Sequence, residues 1–350
     1  MTGSVARKTL LIASYLEAEF VAQIQGVDER LEVIYRPDLL ASPRYPADHG
    51  GGEFARTPEQ DVEWRGMLGR AHILFDFDRA NARALPQLAP QLEWIQATSA
   101  GIGEFVRRHG YAQTIPRVVL TTASGVHAQP LAEFCFMVMI ALHKRLPEML
   151  RDQRRKHWER FAGSDLRDQV LVIVGLGGVG REVARIGQAF GMRVIGVKRS
   201  PSAMPAHELN VDRLYGPGEL HRALAQAQNL VLIAPHTSET EGMIGAPELA
   251  LLPRSAVLIN IGRGALVDEA ALISALQSGH LLGAGLDVFR DEPLPPASPL
   301  WAMDNVIVSP HSASTSIHEN ARITALFCDN LRRFLDGRPL RNQFDAERGF

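Results

Sequence analysis

Three short segments of this 350-residue chain carry side chains suited to work together on a small acid. They are Asn260-Ile-Gly-Arg263-Gly, then Gly285-Leu-Asp287-Val-Phe-Arg-Asp-Glu292-Pro, then Ser309-Pro-His311. An arginine clamps a carboxylate through two parallel N–H bonds. A histidine exchanges a proton near neutral pH, and a neighbouring carboxylate favours its protonated form. Each segment ends a run of strand character, and open parallel sheets bind ligands outside the carboxyl ends of their strands. Singly, each residue has a plainer reading: His311 as a structural histidine, Glu292 as a turn residue before Pro293, Arg263 as a partner for a helix end. Together, at matched strand ends, they form a coherent chemical set.

A second signal lies upstream. The apolar run Val170–Val174 leads into Gly175-Leu-Gly177-Gly178-Val179-Gly180 and then into the helix-forming Arg181–Phe190. A lone GxGxxG is weak, but strand before and helix after is the context that marks a dinucleotide site. Gly175 permits the tight turn, Gly177 the approach of a pyrophosphate to the backbone, and Gly180 the packing of helix on sheet. The helix N-terminus then meets the phosphates with partial positive charge. An NAD site places an acid about 20 residues further on, to accept from the ribose 2′-OH. Here the next strand ends in Val197-Lys198-Arg199-Ser200 with no acid. Arg199 and Ser200 suit a 2′-phosphate, which a carboxylate would repel. NADP(H) is favoured, and NAD(H) remains possible if Lys198 and Arg199 point to solvent.

The elements that would deliver these residues alternate. Strands are expected at Thr9–Ser14, Leu31–Tyr35, Ala71–Phe75 and Leu92–Thr98, with helices at Glu17–Ile24 and near Pro58–Gly69. A Pro- and Gly-rich loop runs from Pro37 to Thr57. A long helix is expected over Gln129–Lys144, its apolar residues at three- and four-residue spacing. A second series has strands at Val170–Val174, Arg193–Val197, Asn229–Ile233, Ala256–Ile261, Gly283–Asp287 and Val306–Val308. One helix shows its ends in the sequence: Asp268 as N-cap, Ala270–Leu276 as body, Gly279 as stop. A last helix spans Ile317–Leu335. Strand–helix alternation of this kind builds parallel sheets with right-handed crossovers.

Composition excludes several classes. Lys+Arg at 37 against Asp+Glu at 39 leaves a formal charge of -2, so no global field recruits nucleic acid or an anionic membrane. The basic run Arg151–Arg160 reads as a solvated helix face. The longest apolar stretch, Pro130–Leu142, contains Glu133 and falls short of the ~20 residues of a membrane span. With no targeting segment in evidence, the expected location is cytoplasmic. Two cysteines, Cys135 and Cys328, are too few for a disulfide framework or a zinc site, and no metal is expected.

From about Glu93 to Leu340 the chain resembles the D-isomer-specific 2-hydroxyacid dehydrogenases. The matching motifs are LVLIAPHTSET, LLPRSAVLINIGRGALVDEAAL, GAGLDVFRDEPLP and SPHSAS, in the family's order. The resemblance implies Arg263, Glu292 and His311 as a catalytic triad, with Arg263 and His311 also touching substrate. It implies that the backbone amides of Ser99, Ala100, Gly101 and Ile102 hold the substrate carboxylate. It places Pro235, Thr240, Ile261, Gly262 and Asp287 against the cofactor, Asp287 near the nicotinamide or its ribose. Ser312 and Ser314 stand where the family often has Ile and Gly, and His236 where Leu is common. Trp158 is expected to pack as an ordinary helix residue, the other reading being a reach into a substrate pocket across a dimer, as some family members arrange.

The fold implied is α/β: a Rossmann-type doubly wound parallel sheet, residues 123–308, inserted into a flavodoxin-like α/β substrate domain, residues 1–122 and 309–350. The activity implied is reduction of a 2-oxo acid, of the glyoxylate or hydroxypyruvate kind, to the D-2-hydroxy acid by NADPH, with His311 as proton donor. Two other readings stand beside it: an NAD(H)-sensing, corepressor-like binding protein on the same fold, and an NAD-dependent D-2-hydroxyacid dehydrogenase. Fold alone does not separate them. A homodimer is implied by the family, built on the Gln129–Lys144 helix and the arm after it.

Overall fold

The computed structural model describes residues 7–200 and 205–346. Contacts divide the chain into two compact units, one of residues 1–127 with 315–350 and one of residues 128–314. In the first unit the order is β1 (Lys8–Ile12), α1 (Ala18–Gln25), β2 (Leu31–Ile34), α2 (Pro58–Leu68), β3 (Ile73–Phe75), α3 (Leu85–Leu88) and β4 (Trp94–Gln96). It continues through α4 (Gly103–His109), α5 (Tyr111–Thr114) and β5 (Val119–Thr121). The second unit opens with α6 (Ala128–His143), α7 (Leu146–Arg155), β6 (Val170–Val174), α8 (Gly178–Ala189), β7 (Arg193–Val197) and β8 (Arg213–Tyr215). Then come α9 (Leu220–Leu224), β9 (Asn229–Leu232), α10 (Ala246–Leu251), β10 (Ala256–Asn260), α11 (Glu269–Gln277), β11 (Leu281–Leu286) and β12 (Val306–Val308). The chain returns to the first unit with α12 (Glu319–Leu335).

Every pairing between these strands is parallel. The first sheet runs β2-β1-β3-β4-β5 and the second β12-β11-β10-β9-β6-β7-β8. These are the flavodoxin-like and Rossmann-type doubly wound orders. A parallel sheet covered on both faces demands strands that are apolar throughout. Val170–Val174 is buried at every position: Val170, Val172 and Val174 enter one core, Leu171 and Ile173 the opposite one. The five-stranded sheet is likewise sandwiched, with Leu11, Leu74 and Ile95 on one side and Leu10, Ile12, Ile73 and Trp94 on the other.

Several sequence expectations need correction. β5 and β8 were not anticipated; both are short edge strands and only partly buried, so neither shows the continuous apolar run of a central strand. The run Arg151–Arg160 is helical only through Arg155, because Lys156 takes a left-handed φ of 55° and ends α7. Trp158 therefore packs on no helix and stands 94% exposed. Elsewhere the local signals hold. Asp268 caps α11, its Oδ1 accepting from the Ala271 amide at 3.1 Å, and Gly279 follows at φ 68°. Cys135 and Cys328 are buried free thiols, and burial pushes both thiol pKa values up. Among the described residues no helix is long and apolar enough to cross a membrane, and no group of three or more His, Cys, Asp or Glu is arranged to hold a metal.

Candidate active site

The carboxyl ends of β6, β9, β10, β11 and β12 gather the second unit's candidate residues on one edge of its sheet. At β6 the chain turns through Gly175 at φ 107°, where a Cβ would lie 2.8 Å from the Ala234 amide and the Ile233 carbonyl carbon. At Gly180 a Cβ would overlap the Gly175 carbonyl oxygen, so α8 starts hard against the strand. Gly177 differs: nothing lies within 4 Å of where its Cβ would be. It is the N-cap of α8, with no side-chain cap and no acid in the first turn. An open, uncapped, twelve-residue helix start is what a dinucleotide pyrophosphate requires, so these residues fit the group the motif implies.

Around that start, the loop after β9 is fixed by Thr240, whose hydroxyl donates to the Pro235 carbonyl at 2.7 Å and accepts from the Thr237 amide at 2.9 Å. Ile261 and Gly262 follow β10 and are buried. Lys198 donates its amide to the Tyr215 carbonyl at 3.0 Å, and Arg199 and Ser200 are exposed at the end of β7.

His311 and Glu292 meet. His311 Nδ1 lies 2.8 Å from Glu292 Oε2, and Glu292 Oε1 accepts from the Phe289 amide at 3.0 Å. An ionised carboxylate only accepts, so Nδ1 carries the hydrogen and Nε2 is left to exchange a proton. His311 adopts a left-handed φ of 55°, a conformation an L residue holds at a cost of roughly 1–2 kcal/mol. The peptide bond between Glu292 and Pro293 is cis.

Asp287 supplies what holds that turn. Its side chain is buried, and one oxygen, Oδ1, accepts from the Ser309 hydroxyl at 2.6 Å and from the amides of Ser312 and Ala313 at 2.8 and 2.9 Å. Burial pushes this carboxyl's pKa up, while the Ser309 and Ala313 bonds and the charge of His311 pull it down. Asp287 thus binds the segments before and after His311 to the end of β11. The family resemblance had assigned it to the cofactor, and nothing in the spacing signalled this positioning role. Ser312 contributes its amide to the same clamp, and its hydroxyl turns to the Pro310 carbonyl at 3.3 Å.

Arg263 is half-buried after β10, and its Nη1 donates to the Gly262 carbonyl at 2.7 Å. Among the described residues it forms no hydrogen bond with Glu292 or His311, so the triad expected from sequence appears as one bonded pair and a neighbouring arginine. The two loops are nonetheless interlocked. A Cβ on Gly264 would overlap the Phe289 carbonyl, so the Arg263 turn and the Glu292 turn touch backbone to backbone. Asn260 fixes the arginine turn from within, Oδ1 accepting from the Gly262 amide at 3.1 Å and Nδ2 donating to the Arg263 carbonyl at 2.9 Å. Sequence reading assigned Asn260 no role; an Asn opening a glycine-containing turn was the signal available.

In the first unit, Ser99, Ala100 and Gly101 are exposed between β4 and α4, and Ile102 is buried. None of their four amides donates to a protein acceptor among the described residues, which leaves them open to an anion.

A doubly wound sheet with a glycine-rich turn leading into an uncapped helix start is the architecture of a dinucleotide-binding α/β protein, and here the same strand edge carries a His–Glu pair. Residues 136–313 match the family model for the NAD binding domain of D-isomer specific 2-hydroxyacid dehydrogenases. The chain is 36% identical over 239 residues to a glyoxylate reductase of Aeropyrum pernix, covering 66% of this chain and 70% of that one. It is 33% identical over 293 residues to a glyoxylate/hydroxypyruvate reductase B of Yersinia pestis, covering 80% and 86%. A crystal structure of a D-isomer specific 2-hydroxyacid dehydrogenase from Xanthobacter autotrophicus, in complex with NADPH and MES, superposes with a TM-score of 0.78 at 30% identity, covering 99% of this chain and 100% of that one. The chain belongs to the D-isomer specific 2-hydroxyacid dehydrogenase family.

Proposed function

We propose that the protein reduces a 2-oxo acid to the D-2-hydroxy acid with NADPH. The observation that carries this reading is the His311–Glu292 pair, which leaves His311 Nε2 available, with Arg263 on the turn that interlocks with the Glu292 turn. Relatives named glyoxylate reductase and glyoxylate/hydroxypyruvate reductase support the reaction class. When bound, NADPH supplies the hydride that the carbonyl carbon accepts. Arg263 orients the substrate through its carboxylate and keto oxygen, and the open amides of Ser99–Ile102 take the carboxylate. His311 Nε2 donates a proton to the oxygen of the former carbonyl while Glu292 holds the ring. Lys198, Arg199 and Ser200 meet the 2′-phosphate, and the Gly175–Gly180 turn meets the pyrophosphate.

Loss of NADPH absorbance with a panel of 2-oxo acids tests the reaction. Turnover of none of them, with NADPH still bound, would point instead to a sensing role. For the cofactor, Arg199→Asp lowers the NADPH/NADH ratio of kcat/KM at least tenfold; an unchanged ratio removes Arg199 from the reading. The assembly proposed is a homodimer through α6, α7 and the arm, supported by the exposure of Met137, Ile140, Leu146, Met149, Leu150 and Phe161. Sedimentation over a range of concentrations checks it, and a persistent monomer counts against it.

A further inference from the structure

In the five-stranded sheet, β1 lies between β2 and β3, so the connections leaving β1 and β3 diverge. Such a switch point opens a crevice outside the strand ends. A cavity of about 340 Å³ occupies that position here, walled by Ser14 after β1, Asp78 and Arg79 after β3, and His49 and Arg56 from the long β2–α2 connection. That volume suits a small acid group.

Arg56 is built into this wall. Its Nε donates to the Leu39 carbonyl at 2.9 Å, and its guanidinium carbon sits 4.1 Å from the centre of the buried Trp64 ring. The next residue, Thr57, caps α2 reciprocally with Gln60 and so fixes the backbone. Both Nη atoms are without a protein acceptor among the described residues. Two of the nearby carboxylates are hydrogen-bonded, while the buried Asp76 next to Arg79 has neither oxygen hydrogen-bonded among the described residues. Asp78 Oδ2 takes the Trp64 and Asn81 side chains at 2.9 and 2.8 Å, and Asp61 takes Arg65 at 2.7 Å. Burial lowers the Arg56 pKa, against the pull of Asp78 and Asp61, so this cation lacks the solvation it would have in water.

Other polar groups of the wall also lack partners. His49 Nδ1 bonds the Ser14 hydroxyl at 3.0 Å, but its Nε2 is buried with none. Arg79 reaches Asp76 only at 4.0 Å. The connection is shaped by Asp48, which accepts from the Arg44 side chain and from the amides of Gly50 and Gly51; the Arg44 guanidinium holds its carboxyl down at about 2.

We infer that this crevice takes the second carboxylate of a 2-oxo diacid, with Arg56 as its anchor. The inference rests on the proposed reductase reading, in which the first carboxylate lies on the Ser99–Ile102 amides. Those amides follow β4, the crevice lies over the ends of β1 and β3, and strands lie about 4.8 Å apart, so the strand ends that carry the two positions are one or two spacings apart. That is the span of a four- to six-carbon diacid. The planar guanidinium presents the fork that a carboxylate accepts.

The experiment compares 2-oxoglutarate with 2-oxopentanoate, which keeps the chain length and lacks the second carboxylate, and with glyoxylate. The expected result is a kcat/KM for 2-oxoglutarate at least tenfold above that for 2-oxopentanoate. In Arg56→Met that preference is lost through a raised KM, and the diacid/glyoxylate ratio falls at least tenfold; Arg56→Lys recovers part of it. No diacid preference in the unaltered protein, or an equal fall for all three substrates in Arg56→Met, overturns the inference. If no 2-oxo acid is reduced, the reductase reading fails by itself, and calorimetry with glutarate then decides the crevice: Arg56-dependent binding retains it as an anion site, and no binding eliminates it.

Discussion

Glu292 divides its two oxygens between His311 Nδ1, at 2.8 Å, and the Phe289 amide, at 3.0 Å. The carboxylate that orients the imidazole is thus itself oriented by the backbone of the turn it terminates. The ring has one hydrogen-bonded nitrogen and one open one.

Replacing either partner gives distinguishable outcomes. His311→Gln is expected to cut turnover by about 10²–10⁴-fold, the usual weight of a positioned acid, with NADPH affinity kept. Glu292→Gln keeps the shape but removes the charge. It is expected to lose less and to shift the pH profile of kcat, which a merely structural role for Glu292 would leave in place.

Removing the Asp287 carboxylate frees the histidine turn. Asp287→Ala leaves the Ser312 and Ala313 amides and the Ser309 hydroxyl without their acceptor. These donors are only partly buried, so each lost bond costs about 0.5–1.5 kcal/mol, the ordinary net worth of a hydrogen bond. A lowered melting temperature and a fall in kcat larger than the change in NADPH affinity are expected. Asp287→Asn retains an accepting oxygen and is expected to lie between. Calorimetry with steady-state kinetics checks both.

Gly264→Ala tests the interlock of the two loops. The methyl group would occupy the place of the Phe289 carbonyl, so one turn must move. Overpacking of this kind costs about 1–3 kcal/mol. The expected variant folds with a lower melting temperature and turns over poorly although every proposed site side chain remains. Normal kinetics would mean the turns are independent.

Acid sensitivity is expected from His143. It is buried, with Nε2 2.9 Å from Asn229 Oδ1 and Nδ1 3.1 Å from the Ser164 hydroxyl, and burial lowers its pKa below the ordinary 6.5. The unfolded ring takes up a proton that the folded ring refuses. The stabilisation from His143 is therefore full above pH 6.5 and is lost as the pH falls below it. Melting temperatures at pH 7.5 and 5.5 should fall further on acidification for the unaltered protein than for His143→Gln; equal falls would exclude His143 as the cause.

Local and periodic features were legible in the sequence. The VLVIV strand, the glycine turn, the Asp268 cap and the α6 stripe each declare themselves within a few residues. Both sheets could therefore be read as parallel before their strand orders were known. What stayed hidden depends on partners distant in sequence. Asp287 clamps residues more than twenty positions away, and no spacing rule announces that. Arg56 sits in a stretch that composition marks only as a Pro- and Gly-rich loop, and its setting against Trp64 exists only once α2 is packed. Trp158 was misplaced because the left-handed turn at Lys156 carries no glycine to signal it.

The division of the chain has a consequence for synthesis. Ile323, Phe327 and Leu331 of α12 complete the core that holds Leu10, Ile12 and Trp94, and residues 342–344 bond the outer edge at Leu120–Thr122. All of these emerge from the ribosome after the whole of the second unit. Until then one face of the five-stranded layer is covered only in part, by Leu16, Val21 and Ile24 of the α1 region, while residues 128–314 are translated. The later-encoded unit is the first able to close.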